Sequence, residues 1–453
     1  MRDMNNRESL KAGQQSGKGV MRSPGDWLTV GLIAAPVVIA AVLGFSFADT
    51  ALALDYLGRL AGVAGLACLL VAAILSVRIP LFDRLYGGLS RLWRQHHYIG
   101  LAAFLLLLAH PLLMALSRAP YSLAAVQEVL LPPIRDWAMW AGWVGLLAMM
   151  VFLAPSFQFF GRPEYQRWKA LHFLAGLALL MGLVHALPLT RTMPTPVMAA
   201  VWGLLGGAAV LIFIWRATLA RPVMRRTWNV ASTRHLADRV VEIDLVPEEG
   251  SIFDYQPGQF IYFTPYDPGL TAGRAEEHPF TLCSAPGDDR LRIAVKALGD
   301  ASNALQSLAT DTKASVEGPY GDFFPQALRH KRQLWIGGGI GITPFVSAAR
   351  ALEAGMAWGD VVMINCAQSP ERAYYFDVLK VIAQDQSGLN VMAHYFAQEG
   401  PLSREYVLEH CPEAAELVWF VCGPPQLVEL ARKIADELGV SGRDFHSEAF
   451  DFL

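Results

Sequence analysis

The stretch RQHHYIGLAAFLLLLAHPLL, residues 94–113, carries His96 and His97 at the start of an apolar run and His110 near its end. A second run, LHFLAGLALLMGLVHAL at residues 171–187, places His172 and His185 in the same way. Ionisable side chains inside a membrane span are costly and usually functional. At a rise of ~1.5 Å per residue, the two histidines of each helix lie about 20 Å apart, most of a ~30 Å hydrocarbon core. Both stretches therefore predict membrane helices with an inner and an outer histidine.

Two such helices can hold two flat metallocofactors stacked across the bilayer, and we predict two b-type haems with axial His–Fe–His ligation. His96 and His110 fall within ~40° on one helix face, whereas His97 and His110 differ by ~140°. We therefore predict His96, His110, His172 and His185 as ligands and keep His97 as the alternative to His96. The spacing of His172 and His185 requires a local distortion, for which Gly176 and Gly182 provide places.

The composition places a large part of the chain in lipid and the rest in water. The 453 residues are 53% hydrophobic with a formal net charge of −3, which argues against a nucleic-acid partner. Up to about Trp215 the chain is mostly apolar, and from Arg221 onward it resembles a soluble protein. The cysteines form no CxxC pair, so we expect reduced thiols.

Six apolar segments are long enough to span a membrane, at about 27–48, 57–77, 96–117, 136–155, 169–188 and 196–216. Lysine and arginine are concentrated in the N-terminal tail, in alternate loops and after the last segment. The opposite loops contain only Arg59, Arg118, Arg135 and Arg191. This asymmetry predicts a multi-pass protein of the cell (inner) membrane with both termini and the soluble half in the cytoplasm.

The soluble half changes pattern twice. Short alternating runs from Thr227 to about His330, separated by Gly, Pro and Asp turns, predict a small antiparallel β-barrel. From Arg332 onward apolar strands alternate with helical patterns, which predicts a doubly wound parallel sheet. The fold class is thus a six-span α-helical bundle followed by an antiparallel β-barrel and a doubly wound α/β domain. We expect a disordered cytoplasmic tail (1–25), a transmembrane domain (26–222), an antiparallel β-barrel domain (223–330) and a nucleotide domain (331–453).

Three short motifs carry the chemistry of this half. GGGIGITP at residues 337–344 follows a buried strand and opens a helix, where backbone amides and the helix dipole attract a pyrophosphate. HPFT at residues 278–281 ends one barrel strand, and CGPP at residues 422–425 ends a late sheet strand. PGQF at residues 257–260 and GPYG at residues 318–321 complete the set.

In this order behind two histidine pairs, the motifs make the chain similar to the NADPH oxidase and ferric reductase superfamily, over nearly all of its length after the tail. That family joins a six-span haem domain to a dehydrogenase of the ferredoxin–NADP reductase type. The resemblance implies FAD, two haems and NAD(P)H. FAD would be held by His278, Pro279, Phe280 and Thr281, with Lys296 and Ser302 near its pyrophosphate. The nicotinamide dinucleotide would lie on Gly338, Gly339, Gly341, Thr343 and Pro344, with Cys422, Gly423 and Pro424 beside the nicotinamide.

The resemblance also implies the reaction. A hydride from cytoplasmic NAD(P)H reduces the flavin, and single electrons reach the inner haem, the outer haem and then an extracytoplasmic acceptor. The leading expectation is oxygen, giving superoxide. A ferric-chelate reductase and an electron donor to a periplasmic or membrane partner protein are the alternatives. Related oxidases usually carry another histidine one turn after the outer ligand of the third span, where this chain has Met114.

Further residues are expected to act at the two ends of this path. Arg59 opens the second span at its outer end, as an arginine does in the oxidases, and its alternative role is that of a snorkelling interfacial residue. By the same resemblance Phe450 stacks on the flavin where nicotinamide must lie, with Glu448 near the flavin edge. Phe450 as a simple anchor of the tail is the alternative. Gln368 stands where related reductases place an arginine that binds the 2′-phosphate, so we expect weak NADPH over NADH preference, with Arg372 as a possible substitute.

Overall fold

A computed structural model describes residues 23–44, 50–154, 165–190 and 194–449 of the chain. It divides into two compact units, Met1–Leu219 and Ala220–Leu453. The first contains helices α1 to α9: Pro24–Gly44, Thr50–Leu75, Pro80–Tyr86, Leu89–Arg118, Leu123–Leu130, Trp137–Leu153, Tyr165–His172, Ala175–Leu189 and Thr195–Ile214. A short π-helix, Trp215–Leu219, follows α9.

Among the described residues, five helices are long and apolar enough to cross a membrane. They are Pro24–Leu43, Ala51–Leu75, Leu89–Arg118, Ala170–Leu189 and Thr195–Met224. The prediction of several apolar spans is confirmed. The remaining predicted span corresponds to α6, which is apolar but shorter, so the count of six rests on this helix. Helix α1 begins at Pro24, so it includes the last two residues of the expected tail.

Small residues allow the membrane helices to approach closely. Gly58, Gly62 and Gly65 of α2 face Met114, His110 and Leu107 of α4, in reversed order along the chain, so the two helices are antiparallel. On α6, Gly142 and Gly145 face His185 and Met181 of α8 in the same antiparallel sense. Small side chains spaced along one helix face are the usual means by which helices pack in lipid.

The distortion expected between His172 and His185 is present, but it lies next to His172 and not at the predicted glycines. Helix α7 ends at His172 and α8 begins at Ala175. The turn between them is tightened, because the amides of Phe173, Leu174 and Gly176 each bond the carbonyl three residues earlier. Such i→i+3 bonds wind the backbone more tightly than an α-helix and rotate the histidines toward a common face.

The second unit begins with helix α10 (Ala220–Met224) and a curled antiparallel sheet in the order β4-β3-β6-β1-β2-β5. Its strands are β1 Arg225–Ala237, β2 Val240–Pro247, β3 Phe260–Pro265, β4 His278–Thr281, β5 Leu291–Lys296 and β6 Lys313–Tyr320. The expected barrel is not fully closed: in the described chain an isolated bridge between Leu282 and Ile293 is what joins the β4 and β5 sides. Trp228, Ile243 and Phe263 fill the interior.

The parallel sheet has the order β11-β10-β7-β8-β9 within the described residues, which confirms the predicted parallel nucleotide domain. Its strands are β7 Gln333–Gly338, β8 Val361–Ala367, β9 Leu389–Tyr395, β10 Val418–Gly423 and β11 Phe445–Ala449. The associated helices are α11 Asp300–Ala304 in the preceding loop, then α12 Thr343–Glu353, α13 Phe376–Asp385, α14 Phe396–Glu399, α15 Arg404–His410 and α16 Pro425–Glu437. Separate apolar clusters cover the two faces, with α12 and α13 on one and α15 and α16 on the other.

The strand order reverses between β7 and β10, because the chain runs outward from β7 to β9 and then returns to place β10 on the other side. Ligands of doubly wound sheets bind at such a switch point, outside the carboxyl ends of the strands. The glycine-rich loop leaves β7 there, and the CGPP segment leaves β10 beside it.

Candidate functional site

The membrane unit brings the four predicted histidines together in two pairs. The ring centres of His96 and His172 lie 6.1 Å apart, and those of His110 and His185 also lie 6.1 Å apart. The alternative residue, His97, is exposed and its ring meets Tyr98 at 5.8 Å. The structure therefore places His96, and not His97, opposite His172.

Backbone carbonyls orient three of these imidazoles. Nδ1 of His96 donates to the carbonyl of Ala72 at 2.7 Å, and Nδ1 of His110 donates to that of Gly58 at 2.7 Å. Nδ1 of His185 donates to the carbonyl of Ala138 at 2.9 Å. Because a carbonyl oxygen only accepts, each Nδ1 carries the proton and Nε2 keeps a free lone pair, as in histidines that bind metals.

His172 is the exception. Its Nδ1 is buried and has no hydrogen-bond partner among the described residues. The ring is held instead by aromatic contacts, with Phe152 edge-on at 5.1 Å and Trp168 tilted at 5.0 Å. An orphaned buried nitrogen in a native site calls for a further partner.

The ring-centre distance within each pair fits a metal that would be bound between the two imidazoles. An iron bound by two imidazoles at about 2 Å from each ligating nitrogen would put the ring centres about 6 Å apart. Within the described ranges, no group of three or more His, Cys, Asp and Glu side chains could hold a metal ion. Each histidine pair would supply two ligands to a haem iron, whose other four ligands are the porphyrin nitrogens.

Two glycines leave room for the imidazoles of His110 and His185. A Cβ on Gly62 would lie 2.9 Å from Nδ1 of His110, and a Cβ on Gly142 would lie 2.7 Å from Nδ1 of His185. Each glycine is one turn beyond the residue whose carbonyl accepts from the same ring, namely Gly58 and Ala138. We call the space left at Gly62 and at Gly142 a glycine notch. Sequence reasoning missed both notches, although small residues recurring at four-residue spacing were a visible signal.

Arg59 lies nine residues after Thr50, the first residue of α2, so it is inside this helix and does not open it as expected. It follows Gly58, whose carbonyl accepts from His110. Its Nε donates to Oδ2 of Asp55 at 2.6 Å, and Arg118 approaches Oδ1 of the same carboxylate at 3.3 Å. The Arg59 side chain is 37% exposed. Asp55 was also missed, though its four-residue spacing from Arg59 on a helix predicts such a pair. Met114 packs against Gly58, whose Cβ position is 2.9 Å from the Met114 sulfur.

In the second unit, the HPFT segment forms β4 at one edge of the curled sheet. His278, Pro279 and Phe280 are half-buried, while Thr281 is buried. Nε2 of His278 lies 3.5 Å from Oε2 of Glu276. An edge strand with partly exposed aromatic and imidazole rings leaves one face available to a flat ring system.

Lys296 and Ser302 flank the loop that follows β5. Nζ of Lys296 is 3.8 Å from the Cβ position of Gly339, which brings it to the glycine-rich loop, and it lies over the Tyr374 ring. Burial, together with the nearby Arg372 and Arg239, lowers the pKa of Lys296. The hydroxyl of Ser302 accepts from the amides of Leu298 and Gly299, both at 2.9 Å, so it anchors the start of α11.

The two switch-point loops touch through backbone. Gly339 has φ +57°, and a Cβ on Gly341 would lie 2.5 Å from the carbonyl oxygen of Cys422. Gly338 packs on Gly423 and Pro424. Thr343 donates its hydroxyl to the carbonyl of Ile340 at 3.0 Å, and Pro344 occupies the first turn of α12. Close approach of backbone to a pyrophosphate requires such glycines.

Cys422 is fully buried, and burial followed by the neighbouring Glu448 raises the pKa of its thiol well above the ordinary value. Strand register sets Cys422 beside Glu448 of β11. The thiol thus stays protonated at neutral pH. Phe450 lies outside the described residues. Arg372 ends a short 3₁₀ turn after β8, close enough to Lys296 to influence that amine.

These features define a chain with several helices able to span a membrane, followed by a curled antiparallel sheet and a parallel nucleotide-binding sheet. Three family models match in order: a ferric reductase like transmembrane component (residues 61–183), an FAD-binding domain (225–323) and an oxidoreductase NAD-binding domain (335–433). The chain thus joins a ferric reductase-like transmembrane component to FAD- and NAD-binding domains, and it is similar to NADPH oxidases.

Relatives are consistent with this assignment. A superoxide-generating NADPH oxidase heavy chain of Dictyostelium discoideum is 25% identical over 249 residues, covering 50% of this chain and 46% of that protein. Dual oxidase 2 of Rattus norvegicus is 30% identical over 130 residues, covering 25% and 8%. The chain thus spans less than half of either relative. The flavohem-like FAD/NAD-binding domain of nitric oxide dioxygenase from Vibrio cholerae has 24% identity and a TM-score of 0.43, covering 50% of this chain and 98% of that domain.

Proposed function

We propose that the protein is a transmembrane flavocytochrome that moves electrons from cytoplasmic NAD(P)H through FAD and two b-type haems to an acceptor outside the membrane. The observation that carries the proposal is the presence of two histidine pairs, each with ring centres 6.1 Å apart, in a chain that also has FAD- and NAD-binding domains. When bound, FAD accepts a hydride and releases single electrons, which the haems carry across the bilayer.

The residues of the membrane unit would hold the two haems. His96 and His172 would bind the inner iron, and His110 and His185 the outer iron, each through Nε2. The carbonyls of Ala72, Gly58 and Ala138 would fix the ring orientation. Neutral imidazoles bonded to neutral carbonyls add no buried charge, which suits a site within lipid.

We further propose six spans, with α6 as the fourth. His96 pairs with His172 and His110 with His185, so the two histidine helices run in the same direction. The chain must therefore cross back between them. Trp137–Leu153 supports that role because it is apolar and packs antiparallel to α8. An even number of spans puts both termini on one side of the membrane. The distribution of positive charges favours the cytoplasmic side of the inner membrane.

In the dehydrogenase unit, the proposed domains are 223–330 for FAD and 331–453 for NAD(P)H. The half-buried face of His278, Pro279 and Phe280, with Thr281, would receive the flavin. Lys296 would neutralise phosphate charge at the glycine-rich loop, where its Nζ already points. The amides at Gly338, Gly339 and Gly341 would bind the dinucleotide pyrophosphate. Thr343 and Pro344 set the start of α12, and Gly423 and Pro424 support the loop.

The proposed acceptor is oxygen, reduced to superoxide, with Arg59 stabilising the anionic product through its fixed charge. Ferric-chelate reduction is the second candidate. It is favoured by Met114, which packs against Gly58 where related oxidases are expected to carry a histidine. Anionic chelates would also be attracted by the excess positive charge of Arg59 and Arg118 around Asp55.

The test uses purified full-length protein loaded with FAD and haem. Anaerobic NADPH or NADH should reduce the flavin and then both haems. Oxygen consumption, together with reduction of a dye that is inhibited by superoxide dismutase, would support the oxidase. Dismutase-insensitive reduction of ferric citrate would favour the reductase. Haem that stays oxidised after NAD(P)H addition would refute the electron path itself.

A further inference from the structure

A buried network joins the flavin sheet to the nucleotide domain. At its centre is Glu242 of β2, whose side chain is 5% exposed. Tyr375, from the nucleotide domain, donates its hydroxyl to Oε2 of Glu242 at 2.7 Å, and Arg234 donates to Oε1 at 2.6 Å. Arg350 of α12 places a guanidinium nitrogen 3.7 Å from Oε2. The carboxylate therefore holds partners from both parts of the second unit.

Helix α12 also forms hydrogen bonds to the segment that follows β4, the strand formed by the HPFT motif. Arg350 donates to the carbonyl of Cys283 at 2.6 Å, and the hydroxyl of Ser347 donates to the carbonyl of Ser284 at 2.7 Å. Cys283 and Ser284 come directly after the HPFT segment and Leu282. Helix α12 begins at Thr343, at the end of the glycine-rich loop. One rigid helix thus links the proposed flavin site to the proposed pyrophosphate site.

Tyr375 is held in an unusual backbone conformation, with φ +61°. A bulky residue adopts this left-handed region only where its surroundings enforce it, and such residues cluster at functional sites. Here the hydroxyl bonds Glu242, the ring lies under the Arg350 guanidinium at 5.5 Å, and the Cys283 sulfur is 3.5 Å from the hydroxyl. The preceding Tyr374 lies beneath Lys296.

The charge state of the network is fixed near neutral pH. Burial alone would raise the pKa of Glu242, but the bonds from Tyr375 and Arg234 and the nearby Arg350 hold it below its ordinary value. Burial, Cys283 and Glu242 raise the pKa of Tyr375 well above its ordinary value. A carboxylate anion thus faces two guanidinium groups and a neutral phenol. Buried charge pairs of this kind are costly to break because they leave an unpaired charge.

We propose a positioning role for three residues, Glu242, Arg350 and Tyr375. They hold the glycine-rich loop that follows β7 at a fixed distance from β4, the strand formed by the HPFT segment, and so set the rate of hydride transfer. The inference rests on the proposed function. In that step the C4–H bond of the dihydronicotinamide breaks and both electrons leave with the hydrogen. The hydride bonds to the flavin, so NAD(P)H is oxidised and FAD is reduced. A displacement of the reacting atoms by ~1 Å can cost about a hundredfold in such a step.

The experiment compares Tyr375→Phe, Arg350→Lys and Glu242→Gln in full-length, FAD-loaded protein. Anaerobic stopped-flow reduction of the flavin at increasing NADPH gives a limiting rate constant and an apparent Kd. We expect the limiting rate to fall at least about tenfold, with the apparent Kd changed less than about threefold. Reduction of the flavin by dithionite, which needs no bound nucleotide, should be unchanged. NADPH deuterated at C4 should give a larger isotope effect in the variants.

Matched controls remove similar groups outside the network. Tyr266→Phe deletes a hydroxyl that meets Ser315 on the flavin sheet, and Arg332→Lys alters an exposed pair with Glu413. Both should reduce the flavin at the parent rate. A parent protein that NADPH and NADH fail to reduce would refute the proposed function itself.

If the parent is reduced normally, the Tyr375→Phe variant is the decisive test, because it loses one hydroxyl and keeps the ring beneath the Arg350 guanidinium. A parent-like limiting rate in this variant would overturn the positioning role. So would a slower rate accompanied by equally slow dithionite reduction or by loss of FAD, since the network would then serve only the fold.

Discussion

Replacing Gly142 by alanine should prevent binding of the proposed outer haem without removing any of its ligands. The added Cβ would lie 2.7 Å from Nδ1 of His185, whereas comfortable contacts between heavy atoms begin near ~3.4 Å. The ring must therefore move by about 0.7 Å, while ligand distances at metal sites are held within about 0.2 Å. The shift also weakens the bond from Nδ1 to the carbonyl of Ala138. Gly62→Ala should act similarly on His110, with a Cβ at 2.9 Å.

Haem content and the low-spin spectrum measure this effect. We expect the haem-to-protein ratio to fall from two toward one in Gly142→Ala, as it should in His185→Ala, with the inner haem retained. Gly203→Ala and Gly207→Ala on α9 are the controls, because no described atom lies within 4 Å of their Cβ positions. These changes should keep both haems and raise helix stability by about 0.5–1 kcal/mol. Two intact haems in both Gly62→Ala and Gly142→Ala would contradict the notch interpretation.

Three further predictions concern His96, Arg59 and Glu242. His96→Ala should lose the inner haem while His97→Ala keeps both, as judged by haem content; the reverse result would make His97 the ligand. Arg59→Ala should slow acceptor reduction while flavin reduction by NAD(P)H stays normal, and Asp55→Asn should act in the same direction because its carboxylate holds Arg59; unchanged turnover would leave Arg59 a snorkelling residue. The pKa of Glu242 lies below the ordinary 4.5, so its stabilising effect is present above that pH and is lost as the pH falls through the lowered value. The melting temperature of the parent should therefore exceed that of Glu242→Gln at pH 7, and the gap should shrink below pH 4.5; a gap independent of pH would refute the linkage.

Local periodicity was enough to predict much of the fold. The choice of His96 over His97 needed only the helical pitch, and the structure places His96 opposite His172. Alternating runs and strand–helix repeats predicted an antiparallel sheet followed by a parallel one, and both are present. These features depend on residues within one or two turns or strands of each other, so a single sequence contains them.

Contacts between distant segments could not be obtained in this way. The buried network joins residues 242, 283, 350 and 375, and nothing in the chain marks them as neighbours. The notch at Gly142 exists only because α6 packs antiparallel to α8 in one register. The distortion expected at Gly176 or Gly182 lies at Phe173–Leu174, because tertiary packing decides where a helix breaks. Likewise, the barrel is a curled sheet with a single bridge between its sides in the described chain.

The proposed haem sites would use backbone carbonyls to orient their histidines, where soluble metal sites often use carboxylates. A carboxylate behind His110 or His185 would orient the ring equally well and strengthen its donor nitrogen, but it would bring a charge into lipid at a cost of several kcal/mol. The carbonyls of Gly58 and Ala138 can accept from an imidazole only if the ring reaches the surface of the helix backbone. Gly62 and Gly142 allow this approach because they have no side chain there. Ring orientation therefore depends on backbone carbonyls that the glycines leave accessible, and not on polar side chains. The outer site should accordingly tolerate changes in the side chain at Ala138, whose carbonyl remains, far better than any side chain at Gly142.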